Sequence, residues 1–123
     1  MKTMKEKILS LFETWNNALK TLDPDLVTSL YDENAILLPT ISNKIRHNHD
    51  EIKDYFIHFL TKEPRGEINE SNIRIFGDMA INSGIYTFSF NDGSSVQARF
   101  TFVYKMIEDG WKIIEHHSSM MPE

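Results

Sequence analysis

Val96–Ile107 (VQARFTFVYKMI), Glu108-Asp109-Gly110 and Trp111–Ser119 (WKIIEHHSS) form the stretch whose reading decides the fold. Two runs rich in β-branched and aromatic residues flank an Asp-Gly pair. Asp-Gly suits a type I′ turn, because both central residues there need positive φ. With Asp109 and Gly110 as the loop, Glu108 faces Trp111 and the pairing runs outward from there. Val103 then lies opposite His116, Phe102 opposite His117 and Thr101 opposite Ser118. Side chains alternate along a strand, which places Arg99, Thr101, Val103, Ile114, His116 and Ser118 on one face. Phe100, Phe102, Tyr104, Trp111, Ile113, Glu115 and His117 fall on the other. Neither face is purely polar, so both are expected to be partly covered. An arginine, two histidines and several hydroxyls among aromatics read as the wall of a pocket.

Upstream, the period-2 pattern reaches back through Met79–Phe90 and Asn72–Phe76, punctuated by Asn91-Asp92-Gly93 and Gly77-Asp78. Before that the period is helical. Thr3-Met4-Lys5-Glu6 has the spacing of a capping box. Ile8, Leu11, Phe12, Trp15, Ala18, Leu19 and Leu22 then make one apolar stripe on a helix of about five turns. Asp23-Pro24 is a second start signal, for a short helix expected to bury Leu26, Val27, Leu30 and Tyr31. Asp32-Glu33-Asn34 is expected to break it, before a strand over Ala35–Leu38 that Pro39 ends. Thr40–Asn48 reads as a loop. Asn48 or His49 opens a helix carrying Ile52, Tyr55, Phe56, Phe59 and Leu60 on one side, closed by Pro64 and Gly66. Helices first and antiparallel hairpins afterwards predict an α+β fold. Strongly bent, such a sheet wraps the long first helix and leaves a conical cavity at its open end, the default ligand site.

The 123 residues suffice for one core, with 41% hydrophobic and 25% charged residues. A formal charge of −5 argues against a nucleic-acid partner. Zero cysteines exclude disulfides, thiol nucleophiles and cysteine metal sites. No apolar run has the length of a signal peptide or a membrane span. These features predict a soluble, cytoplasmic protein without a membrane partner.

His116 and His117, adjacent on a strand, point to opposite faces, so one of them at most lines a given pocket. A histidine there serves as a general base near neutral pH, or hydrogen-bonds to orient the sheet. Arg99 needs a countercharge, either Glu115 or Glu67 or the carboxylate or phosphate of a ligand. Glu115, Asp32 and Glu33 are the candidate carboxylate bases, and Tyr31, Tyr55, Tyr86 and Tyr104 supply hydroxyls. A matching pair of carboxylates for an isomerase is not evident. His47-Asn48-His49-Asp50 and His58 lack the further ligands zinc needs and read as a solvated loop and helix cap, so no metal and no cofactor are expected. Trp15 and Tyr31 are expected on the cavity floor. Met120 and Met121 close its mouth or pack on a partner subunit.

Three segments carry a resemblance: TWNNALKTLDPDLVTSLYDENAILLPT (14–40), SNKIRHNHDEIKDYFIHFL (42–60), and RFTFVYK (99–105) with GWKIIEHHSSMMP (110–122). Together they span nearly the whole chain, and the last is the most specific. The chain resembles the nuclear transport factor 2-like superfamily, which includes ketosteroid isomerase, scytalone dehydratase and the polyketide cyclases. Within it the chain is similar to bacterial stand-alone proteins like the association (hub) domain of calcium/calmodulin-dependent protein kinase. The resemblance implies a single cone-shaped α+β domain of the cystatin-like class, a homodimer or larger ring, and a pocket between sheet and first helix. It also implies that Tyr86, Thr101 and Ser118 stand where the hub carries arginines that accept small carboxylates, and that His117 falls on a hub histidine. Arg99 and Arg46 are then the candidates left for an anion. A glycine-rich phosphate loop and an H-R-D motif are absent from the chain.

Two functions stand open, since this fold hosts both. One is a small-molecule-binding homo-oligomer, with or without isomerase, dehydratase or cyclase chemistry, on a small organic ligand, a carboxylate among the candidates. Its expected site is Trp15, Tyr31, Arg46, Tyr55, Tyr86, Arg99, Thr101, His116, His117 and Ser118. The other is a non-catalytic oligomerisation module.

Overall fold

A computed structural model describes residues 2–40, 42–108 and 110–122. The first helix, α1 (Met4–Lys20), starts where the capping box predicts: Glu6 N–H donates to Thr3 Oγ1 at 3.1 Å, and Thr3 N–H donates to Glu6 Oε1 at 3.4 Å. Its apolar stripe buries Ile8, Phe12, Trp15, Ala18 and Leu19. The helix α2 (Pro24–Thr28) is capped by Asp23, whose Oδ1 accepts from Asp25 N–H at 3.0 Å. Val27 is buried as expected, but Leu26 is 43% exposed. Tyr31 is buried from the strand that follows rather than from the helix.

That strand, β1 (Tyr31–Leu38), runs through Asp32-Glu33-Asn34 instead of beginning after them. The acids are accommodated by an irregularity in pairing between Tyr31 and Ile36. Asn48 caps α3 (His49–Phe59), accepting from Glu51 N–H at 3.0 Å. A 3₁₀ turn over Leu60–Lys62 leads to β2 (Arg65–Phe76), and β3 (Met79–Ser89), β4 (Ser95–Ile107) and β5 (Gly110–Met120) follow. β2 begins seven residues before the period-2 pattern shows it. Its start is fixed from α1: Asn16 Nδ2 donates to the Gly66 carbonyl at 2.9 Å, and Gly66 N–H donates back to Asn16 Oδ1 at 2.8 Å.

The five strands make one curved, open sheet of order β1-β5-β4-β3-β2. Consecutive neighbours from β2 to β5 are antiparallel, as the α+β reading requires, and only the outer β1–β5 pair is parallel. The concave face closes on α1 and α3 over an aromatic core of Phe12, Trp15, Tyr31, Phe56, Tyr86, Phe100, Phe102 and Tyr104.

The register of the decisive hairpin differs from the expected one. Ile107 pairs with Gly110, so the turn comes one residue earlier, and Glu108 takes the positive φ of 57°. Asp109, the other half of the expected turn, lies outside the described residues. Farther in, Tyr104 pairs with Ile113 but Val103 pairs with Glu115, which leaves Ile114 as an extra residue in β5. Such a bulge shifts every later partner by one and so exchanges faces. Phe102 therefore pairs with His116, Thr101 with His117 and Phe100 with Ser118. His116 and Ser118 join the aromatic concave face, while Arg99 and His117 are exposed on the convex face beside half-buried Thr101 and Val103.

Candidate functional site

Strand alternation brings the polar tips of four elements together under the sheet. Trp15 Nε1–H, from α1, donates to Tyr31 Oη at 3.1 Å. Tyr31 Oη lies 2.8 Å from His116 Nδ1, and His116 Nε2 lies 3.3 Å from Tyr86 Oη on β3. Tyr86 O–H donates to Ser118 Oγ at 2.7 Å, and Ser118 Oγ hydrogen-bonds Thr40 Oγ1, just beyond β1. The imidazole stacks on Phe102 with centroids 4.0 Å apart and meets Trp15 edge-on at 5.5 Å. Burial, helped by the neighbouring His117, pushes the His116 imidazole down to about 3. Burial likewise raises the Tyr31 and Tyr86 hydroxyls, and pushes Tyr55 up to about 12. All of these groups are uncharged near neutral pH.

The row of polar groups ends at a cavity of about 40 Å³. Aromatic and aliphatic side chains dominate its wall: Trp15, Leu37, Pro39, Tyr55, Phe56, Phe59, Phe88, Phe90, Val96 and Ala98. Thr40, Tyr86, His116 and Ser118 bring the other polar atoms. Of the expected site residues, Trp15, Tyr55, Tyr86, His116 and Ser118 line it, and Tyr31 stands directly behind His116. Thr40 had no signal beyond its place after Pro39.

Arg99, Thr101 and His117 are turned away from the cavity by the register of β4 and β5. Arg46 is set apart from it. Its guanidinium lies 5.5 Å from the Tyr55 ring centroid, and its Nη1 donates to Ser42 Oγ and the Lys44 carbonyl. It borders a separate hollow of about 140 Å³ with Tyr55, His58, Phe59 and Lys62. None of the candidate bases Asp32, Glu33 and Glu115 lines the cavity. His47 and His49 find partners in Glu51 and the Tyr31 carbonyl, at 2.9 and 2.7 Å.

The sheet and its helices have the nuclear transport factor 2-like fold. A nuclear transport factor 2-like protein of Pseudomonas putida superposes with a TM-score of 0.83 over 95% of this chain and 86% of that one, at 16% identity. A nuclear transport factor 2-like superfamily protein of Salmonella enterica does so at 0.81 over 97% and 92%, at 17% identity. The model of the calcium/calmodulin dependent protein kinase II association domain matches residues 4–122, and the chain belongs to that family. A protein of Xanthomonas campestris described as such an association domain is 45% identical, with a TM-score of 0.96 over 99% of this chain and 91% of that one. No curated protein matches the chain.

Proposed function

We propose that the chain is a homo-oligomeric domain that binds a small, neutral, largely apolar organic molecule in the cavity beneath its sheet. The observation that carries this reading is the uncharged hydroxyl–imidazole row ending on an aromatic-walled void. A carboxylate at that spot would be buried with no cation on the lining to offset it, a costly arrangement. Anions are better served in the separate hollow lined by Arg46 and Lys62. His116 is a poor general base, since the effective ones titrate near the working pH and this one is held near 3. Binding is therefore favoured over turnover. The volume of about 40 Å³ is far below the roughly 300 Å³ at which drug-sized pockets begin, so the ligand is small.

Titration with methylenecyclobutane, followed by backbone-amide NMR, tests the cavity. Shifts are expected at Leu37, Ala98 and Ser118, and Ala98→Leu is expected to abolish them by filling the space. Amides that stay unmoved in the parent protein up to the solubility of the probe would remove the binding reading.

The second half of the reading is self-association. The matched family is named for it, and on the convex face Ile81, Ile85, Val103 and Ile114 are only half-buried within one chain. Sedimentation equilibrium is expected to show a dimer or larger ring, and Val103→Asp, which puts a charge mid-face, is expected to yield monomers. A parent protein that sediments as a monomer would sink this half. Assembly with an unresponsive cavity would leave an oligomerisation module.

A further inference from the structure

The row of polar groups behind the cavity has a direction, and the residue types at its two ends set it. Indole nitrogen is a donor only, so Trp15 must give its proton to Tyr31 Oη. Tyr31 then has one proton and one remaining partner, His116 Nδ1, which must accept it. At the far end Tyr86 gives its single proton to Ser118 Oγ, so Tyr86 Oη can only accept from His116 Nε2. The two ends demand the same thing of the ring: Nδ1 bare and Nε2 protonated. Ser118 and Thr40 share one further hydrogen bond, in which either hydroxyl can be the donor. The two hydroxyls hold two protons and spend one on that bond, so one proton of the pair is left without a further partner among the described residues, and both hydroxyls lie on the cavity lining.

We propose that the cavity selects, among small neutral molecules, those offering a hydrogen-bond acceptor such as a ketone or amide carbonyl, which the Thr40–Ser118 hydroxyl pair meets as donor. The inference rests on the cavity reading above and adds the polarity of its ligand. A donor-only ligand finds a proton already pointing at it. Thr40 is half-buried and Ser118 buried, so a carbonyl oxygen entering the cavity gives their spare proton an acceptor. The Tyr55 hydroxyl, also on the lining, can give or accept and sets no preference.

Three measurements test this. Side-chain ¹⁵N NMR of His116 is expected to show the neutral ring protonated at Nε2. Cyclobutanone bound to the parent protein is expected to show a carbonyl stretch lowered from its value in hydrocarbon solvent, as a hydrogen-bonded ketone does. Removing both nearby hydroxyls with Thr40→Val and Ser118→Ala together is expected to weaken cyclobutanone about tenfold. The same pair of changes is expected to leave methylenecyclobutane, of nearly the same shape, as it was. The first two readouts need no variant, so misfolding of the double variant does not shelter the idea. A ring protonated at Nδ1, or methylenecyclobutane bound while the ketone is excluded or keeps its hydrocarbon-like stretch, overturns the polarity and leaves the cavity reading standing. Failure of both probes to bind overturns the two together.

Discussion

Acidification from about pH 7.5 to about pH 4.5 is expected to cost the protein roughly 2–3 kcal/mol through His116 alone, rising to roughly 4–5 kcal/mol by about pH 3. The ring is only 3% exposed, and both of its nitrogens face neutral hydroxyls rather than a carboxylate. Burial therefore holds it down to about 3, whereas in the unfolded chain it titrates near its ordinary value of 6.5. The folded-state value is the lower one, so the stabilising contribution is complete above about pH 6.5 and is lost as the pH falls through about 3. Over that window the unfolded chain takes up a proton that the folded one refuses. Glu51 and Asp92, held below the usual carboxylate range by hydrogen bonds from His47 and Ser94, add an acid loss of their own. His116→Gln separates the two contributions, since Gln keeps one donor and one acceptor but does not titrate. Urea denaturation of both proteins at one fixed concentration is the measurement. The variant should be the less stable near neutrality, and the gap should close or reverse on acidification. A gap independent of pH would mean that the ring is not held neutral.

The parts of the fold that were legible are those whose cause is local. Thr3 and Glu6, Asp23-Pro24 and Asn48 each announce a helix start within four residues of themselves, and the structure starts helices there. The change from helical to period-2 spacing likewise placed the strands, and with them the α+β class. What was not legible depends on contacts far apart in the chain. Asn16 holds Gly66 from 50 residues away, and this starts β2 well before its own pattern does. Gly84 allows the irregular stretch of β2 to press close, because a Cβ there would stand 2.0 Å from the Glu70 carbonyl oxygen. For the site, the bulge at Ile114 mattered most. Trp15, Tyr31, Tyr55, Tyr86, His116 and Ser118 converge, while Arg99, Thr101 and His117, grouped with some of them by an unbulged register, turn outward. Within β5, the Ile113-Ile114 pair, two apolar residues in succession before Glu115, is a visible break in alternation. It is where β5 changes its partners by one.

Replacing Trp15 by alanine is expected to cost about 3–5 kcal/mol, a large share of the roughly 5–15 kcal/mol that holds a domain of this size together. The indole is 1% exposed and packs against Phe102, Phe12 and Phe88 with centroids 5.4, 5.7 and 5.9 Å away. It also fixes the far end of the polar row by donating to Tyr31. Trp15→Phe largely divides these roles, because it keeps a six-membered aromatic ring and loses the N–H with the rest of the five-membered one. Tyr31 is not orphaned by that change, since its own proton still goes to His116, so a loss of only about 1–2 kcal/mol is expected. Equal losses for the two variants in urea denaturation would mean that the hydrogen bond, not the packing, carries the contribution. The alanine variant should also change what the cavity accepts. Trp15 forms part of its wall, and interiors collapse only partly around a deleted ring, so the void grows. An apolar void of about 150 Å³ binds benzene in proteins where one has been made. Benzene should therefore stabilise Trp15→Ala against heat more than it stabilises the parent protein. Equal stabilisation of both would show that the natural cavity already opens wider than its resting volume of about 40 Å³.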